Sequence, residues 1–414
     1  MLSQENIPQY DSKIRECANF ARWNIKKICK DIGPRTGGSE EELKAQEFMA
    51  KQLGSAVDEV KTEEFEVSPK AFFGWFKITG VLLTISTVLF ILGLYIVTLI
   101  LCVYVASMIL FEFLFYKKYV DWYFPKATSH NTTCTRKPTG EVKRRIIFGG
   151  HSDSVFEWTW NYLGGNVLLI LSCAYAAVGL GYLVLFTIIK MVQCGGVIDM
   201  LNYDVFSWLA IAFVPGYVMF FMYANFRHPV LGANDNLSGC MVAAGVLKFM
   251  EDNDIRFENT EVCCLFSGSE EHGLRGAKAW AKAHKKECEE VETMFVGLDT
   301  FRDIDDMYVY NRDMSGLVKH DDRCANLMRK AAANCDHPLK TSSVWAGASD
   351  AAATTQAGIP SCSLAAMNPG PPRYYHTRYD TADNLNLACI ELGIKISVEA
   401  AFIFDKEGLK LDYD

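Results

Sequence analysis

The chain has 414 residues, more than one simple core usually needs; half are hydrophobic, 22% are charged and the formal net charge is -8. That acidity excludes a nucleic-acid partner, because phosphate contacts need a basic surface. The 14 cysteines are scattered and form no CxxC pair, which argues against a thiolate zinc site and suits a reducing compartment.

The first seventy residues are polar and mixed in charge, with no apolar core ahead of a cleavage site, so a secretory signal peptide is not expected. Apolar spacing predicts a helix over 40–53, and a strand near 60–67 follows. Residues 78–111 then carry no charge at all. One helix of that length would run about 50 Å, against a bilayer core of about 30 Å. Two spans joined by a tight turn near Gly93 are the sensible reading. Residues 145–150 read as a buried strand. A second apolar block follows at 163–189 and 205–226, with a loop over 190–204 marked by Gly195, Gly196, Asp199 and Asp204, and with Pro215 inside its last stretch. Phe72, Phe73, Trp75, Phe76, Tyr119, Trp122, Tyr123, Trp158, Trp160 and Tyr162 flank the blocks as headgroup-level aromatic belts do.

Beyond the second block, strands over 261–267 and 293–299 alternate with helices over 237–250, 273–284 and 387–404. Such alternation implies α/β architecture: a three-layer α/β/α sandwich around a mixed sheet, with two inserted transmembrane helical hairpins. The catalytic domain is then assembled from 1–76, 118–160 and 227–414, and the hairpins are 77–117 and 161–226. In such sheets ligands bind beyond the carboxyl ends of the strands, where the chemistry-bearing residues of this chain fall.

Each motif has an ordinary reading when taken alone. His151-Ser152-Asp153 follows a strand, as a metal ligand with its orienting carboxylate would, or as a hydrogen-bonded loop histidine would. Asp235, inside Gly232-Ala233-Asn234-Asp235-Asn236, is a helix cap or a carboxylate bridging two ions. Glu270 and Glu271 are a solvated helix start, or a pair held together by cations, one binding metal and the other taking a proton from water. His272 reads as a surface or supporting residue. Asp299 ends a strand, and Tyr375-His376 lies in a loop after Pro371-Pro372.

In this order the pieces resemble the dinuclear-zinc aminopeptidases, metallopeptidase family twenty-eight, in a membrane-anchored, bacterial-type form with hairpin insertions. Gly33-Pro34-Arg35 with Gly38-Ser39, and Gly347-Ala348-Ser349-Asp350 with Gly358-Ile359-Pro360, extend the resemblance to both ends of the soluble part. It implies two zinc ions: one on His151 and Asp299, one on Glu271 and His376, with Asp235 bridging them. It further implies Glu270 as general base, Asp153 orienting His151, Tyr375 donating to the oxyanion, Asp350 in support, and a cis peptide at Asp235–Asn236. The departure is spacing: Asp235 follows His151 by 84 residues (235 − 151), and the second apolar block fills that gap.

The expected activity is removal of N-terminal residues from peptides. A glutaminyl cyclase-like acyltransferase with one zinc and a catalytically inactive interaction domain are the alternatives; presence of the whole ligand set argues against the second. A transporter is disfavoured because the spans lack charges apart from Glu112 at a span end. Partners are a peptide substrate and the lipid bilayer. Ligands on both sides of each hairpin must meet, so each hairpin crosses and returns. Lys70, Lys77, Lys117, Lys118, Lys126 and Arg227 flank the spans on the catalytic side and Lys190 alone lies on the other, which predicts a cytoplasmic catalytic domain. The stretch from Asp153 to Leu163 reaches roughly 35 Å at most, so the metal cluster is expected near the headgroups, with Trp158, Trp160 and His228-Pro229 on its rim.

Overall fold

The computed structural model describes residues 7–200 and 203–413. Its strands are β1 (Glu59–Val67), β2 (Ala127–Arg136), β3 (Arg144–His151), β4 (Phe156–Trp158), β5 (Ala224–Pro229), β6 (Thr260–Ser267), β7 (Glu292–Phe301), β8 (Met307–Asp313), β9 (Val318–Lys319), β10 (Thr341–Ser343) and β11 (Ser361–Ala366). Nine of them form one mixed sheet in the order β1-β2-β6-β3-β7-β11-β8-β10, with β9 beside β8; β4 and β5 make a separate ribbon. The central four strands run parallel, and β2 and β8 flank them antiparallel.

The sandwich follows from the period of two along the strands. Ile146, Phe148, Val262, Cys264, Phe266, Met294, Val296 and Leu298 point to one core, and Ile147, Cys263, Leu265 and Phe295 to the other. Helices α1 (Tyr10–Asp31) and α2 (Glu40–Leu53) join the first core. Ser39 caps α2 by accepting the Glu42 N–H at 3.2 Å.

The two apolar blocks form helices α3 (Ala71–Ile91), α4 (Tyr95–Leu114), α5 (Thr159–Cys194) and α6 (Val205–Phe221). The first three are long and apolar enough to cross a membrane. The α3–α4 turn falls at Gly93, whose φ of 76° suits glycine, and the Gly93 carbonyl accepts the Asp199 N–H at 3.0 Å, joining the two hairpin tips. Two expectations need correction. The loop expected from residue 190 begins later, because α5 continues to Cys194 and Lys190 is buried in an ion pair with Asp204. The last stretch, expected to be helical to 226, ends at Phe221, is interrupted by a 3-10 turn over Ala210–Phe213 just before Pro215, and gives way to β5.

The four helices pack in a ring, α3 on α4 and α6, α5 on α4 and α6. Their outer surface is apolar and exposed, as at Val81, Val88, Ile100, Val103, Leu171 and Val178. At its base the bundle shares a core with Leu274, Ala277 and Met314 of the sheet domain. The remaining helices are α7 (Gly239–Asp252), α8 (Arg275–Glu290), α9 (Asp322–Asn334), α10 (Asp350–Gln356) and α11 (Leu387–Glu407). Helices α7, α9 and α11 cover the first face of the sheet, and α8 and α10 the second.

Candidate metal centre

Register places the site. His151 ends β3 opposite Ser267, the last residue of β6, and Asp299 on β7 lies opposite Ala365 of β11. The neighbouring carboxyl ends therefore deliver His151, the Glu270–Glu271 turn and Asp299 to one edge. Asp235 arrives from the irregular turn over Ala233–Ser238 that leads into α7. Gly239, the first residue of α7, lets this turn press on β7: a Cβ there would lie 2.2 Å from the Leu298 carbonyl oxygen. The Asp235–Asn236 peptide is cis, as the resemblance implied.

Asp235 is the centre of the arrangement. Its Oδ1 lies 3.2 Å from His151 Nε2 and its Oδ2 3.0 Å from His376 Nε2. Glu271 Oε1 is 3.1 Å from His376 Nε2, and Asp299 Oδ1 is 3.9 Å from His151 Nε2. Glu270 Oε2 stands 3.8 Å from His151 Nε2. His151, Asp235 and Glu271 present ligand atoms within 4.8 Å of one another. The ring of Tyr375 stacks on His376 at 3.8 Å. All five expected ligands, Glu270 and Tyr375 therefore meet in one place.

The donor set fits cations. Asp235 Oδ2 and Glu271 Oε1 are buried and converge on the single nitrogen His376 Nε2 without a well-formed hydrogen bond to it. Four carboxylates crowd two imidazoles in a largely buried site, and their protonation reflects it. Burial, reinforced by Glu271 and opposed by His151, raises Glu270 well above the carboxylate range. Burial and Asp235 raise Asp299 to about 7. Burial opposes the charge of His376, but Glu271 and Asp235 outweigh it and lift the imidazole to about 9. Divalent cations would replace those protons, and imidazole with carboxylate oxygen is zinc chemistry.

Asp153 faces the His151 ring, its Oδ1 3.4 Å from Nδ1, and it also accepts the N–H groups of Glu270 (3.0 Å) and Glu271 (3.2 Å) and contacts His272 Nδ1 at 3.2 Å. Burial opposes its ionisation, yet His151 and His272 hold it below the usual carboxylate range. It thus secures the glutamate turn as well as facing the imidazole. His272 is fully buried there, in the supporting place of the two expected for it. Asp350 accepts the Ser267 hydroxyl behind the site, and burial raises it to about 6.

Several residues escaped the sequence reading. Asp380 accepts the backbone N–H groups of Asn234 (2.8 Å) and Asp235 (3.0 Å), fixing the central carboxylate from behind. Glu42 accepts the N–H groups of Gly38 and Ser269 and the Ser129 hydroxyl, each at 2.8 Å. No local pattern marks either residue. Arg35, noticed as part of a signature, is fully buried and ties the Ser152 carbonyl (2.8 Å) to those of Leu231 (2.8 Å) and Gly232 (3.1 Å), joining the two segments that deliver His151 and Asp235. Trp158 was expected on the rim; its ring lies 4.2 Å from that of His376, and its backbone N–H donates to the His376 carbonyl at 2.8 Å. An open cleft of about 540 Å³ is lined by Gly165, Asn166, Arg302, Asp303, Pro372 and Arg373, and by none of the candidate ligands.

The fold is that of zinc aminopeptidases and of glutaminyl cyclases. An aminopeptidase from Aneurinibacillus sp. strain AM-1 superposes with a TM-score of 0.56 at 15% identity, over 95% of this chain and 95% of that one. BSAP, a zinc aminopeptidase from Bacillus subtilis, gives 0.54 at 14% over 96% of each chain. The Bacteroides thetaiotaomicron glutaminyl cyclase bound to N-acetylhistamine gives 0.55 at 14% over 96% of this chain and 99% of its own. Residues 213–398 match peptidase family M28. That segment holds Asp235, Glu270, Glu271, Asp299, Tyr375 and His376, while His151 precedes it across the second apolar block. No curated protein matches the chain.

Proposed function

We propose that the protein is a membrane-anchored zinc aminopeptidase with two ions per chain. The observation that carries this reading is Asp235, one carboxylate placed between His151 and His376 with Glu271 and Asp299 beside them. The match to peptidase family M28 over 213–398 supports it independently. His151 and Asp299 would hold one zinc, Glu271 and His376 the other, and Asp235 both. Zinc bound there supplies a Lewis acid that polarises the scissile carbonyl and acidifies water.

The chain's own groups do the rest. Glu270, beside the ligand atoms without being one of the expected ligands, accepts a proton from the attacking water and returns it to the leaving amine. Tyr375, stacked on His376, donates its hydroxyl to the oxyanion. Asp153 holds the Glu270 and Glu271 backbone so that base and ligand keep their separation. The exposed apolar surface of α3–α6 is taken to lie in a bilayer, in two hairpins with the sheet domain on the cytoplasmic side. This reading puts the metal centre near the headgroups, because Trp158 at the base of α5 already touches His376.

A panel of aminoacyl and N-blocked peptides, given to zinc-loaded protein, tests the activity. Release of N-terminal residues from free but not blocked peptides is expected. The likeness to glutaminyl cyclases favours a second reading; formation of cyclised product from N-terminal glutamine, with one zinc per chain, would establish it instead.

A further inference from the structure

The first hairpin is fastened by buried charges to the turn that carries Glu270 and Glu271. Glu112, in the last turn of α4, is fully buried. Its Oε2 accepts the N–H groups of Tyr119 (2.9 Å) and Val120 (3.2 Å), which fold the exit segment of the hairpin back on itself. Its Oε1 accepts Arg275 Nη2 at 3.0 Å. Arg275 also donates to Asp121 Oδ1 at 2.8 Å and to the Tyr116 carbonyl at 3.3 Å. One turn on, Lys278 donates to the Tyr116 carbonyl and, at 3.2 Å, to that of Gly273.

Arg275 is the first residue of α8 and follows Glu271 by four residues (275 − 271). Its own N–H donates to the Ser269 carbonyl at 3.1 Å, and the N–H groups of Gly273 and Leu274 both donate to the Glu270 carbonyl, at 2.9 and 2.8 Å. Residues 269–275 are thus one closed turn, and a shift of Arg275 is passed to Glu270 and Glu271. The other end of the hairpin touches the same turn: a Cβ on Gly273 would lie 3.0 Å from the Phe72 ring.

An anchor alone does not call for this arrangement. A buried ion cluster gains little stability over apolar packing of equal volume, but a planar guanidinium with Nη2 shared by Glu112 and Asp121 and Nη1 on the Tyr116 carbonyl fixes direction. Catalytic groups displaced by about 1 Å lose rate steeply. We propose that Glu112, Asp121 and Arg275 are positioning residues, through which the first hairpin holds the Glu270–Glu271 turn in its working geometry. The proposal rests on the peptidase reading for its kinetic effect, though not for its structural one.

The test uses the full zinc-loaded chain in its membrane or detergent. Glu112→Gln and Asp121→Asn are compared with Glu66→Gln, which breaks an exposed pair with Lys126 near the same hairpin. Both latch variants should lower kcat by about tenfold or more with KM and zinc content per folded chain unchanged. Amide hydrogen exchange should speed up over residues 269–275 and not in β3, and Glu66→Gln should change neither. Asp121 is the less buried partner and serves if Glu112→Gln fails to fold. Wild-type kcat together with wild-type exchange over 269–275 in a folded latch variant overturns the proposal. If the wild-type protein cleaves no peptide, the peptidase reading falls, and the exchange comparison still decides whether the latch holds the turn.

Discussion

At the scale of single residues, the division of labour proposed for Glu270 and Glu271 is the sharpest point to test. Glu271 touches His376, whereas Glu270 stands 3.8 Å from His151. Glu270→Gln should therefore keep its zinc content and lose about 10²–10⁴-fold in kcat. Glu271→Gln should lose zinc as well, read by metal analysis beside turnover. A Glu270→Gln protein with normal turnover would remove the base from the mechanism. Proton linkage gives an independent check. Without metal, His376 titrates at about 9 and Asp299 at about 7, both held up by neighbouring carboxylates or burial. Zinc needs a neutral imidazole and ionised carboxylates, so binding at pH 7 must expel protons. Affinity should fall as pH falls from about 9, and calorimetry in buffers of different ionisation enthalpy should register net proton release. Zero release would mean that the cluster is not the binding site. Asp380→Asn weakens the acceptor behind Asp235 and should cost about 10–100-fold in zinc affinity. Asp380 was not legible in the sequence because its partners are backbone N–H groups 145 and 146 residues away, and nothing beside it announces them.

At the scale of elements, the sequence revealed the buried strands well and the edges poorly. Strands β3, β6 and β7 are continuous apolar runs, as strands buried on both faces must be, and their observed bounds differ from expectation by a residue or two. By contrast β2 (Ala127–Arg136) alternates threonine, asparagine and histidine with little apolar content; it pairs between β1 and β6 only because the sheet offers it a place. The inner strands should be the costly ones to damage. Phe295→Ala empties a fully buried site between β7 and the helices of the second face, and should lower stability by about 3–5 kcal/mol in denaturant titration. In the apolar bundle the tight contact is Gly80, where a Cβ would lie 2.6 Å from the Tyr217 carbonyl oxygen of α6. Gly80→Val should push α3 from α6 and lower the thermal midpoint of the detergent-solubilised protein, an effect expected where small residues let helices approach. An unchanged midpoint would show that the two hairpins do not pack as a ring.

At the scale of the whole molecule, the two hairpins enter and leave on the side of the metal site. Protease added to sealed right-side-out vesicles should spare the sheet domain if it is cytoplasmic, and digestion would reverse the orientation drawn from Lys70, Lys77, Lys117, Lys118, Lys126 and Arg227. What the sequence determined by itself was local or periodic: apolar blocks, strand cores, and the order of residues able to bind metal. These follow from short-range rules, since burial on one or both faces writes a period into neighbouring residues. Tertiary structure alone decided which groups meet. The 84-residue separation of His151 and Asp235 closes to 3.2 Å because β3 and the turn before α7 end at the same edge of the sheet. Arg275 finds Glu112 across 163 residues for the same reason, as the hairpin must return to the sheet it left. Such contacts depend on where the chain comes back, which no window of neighbouring residues contains.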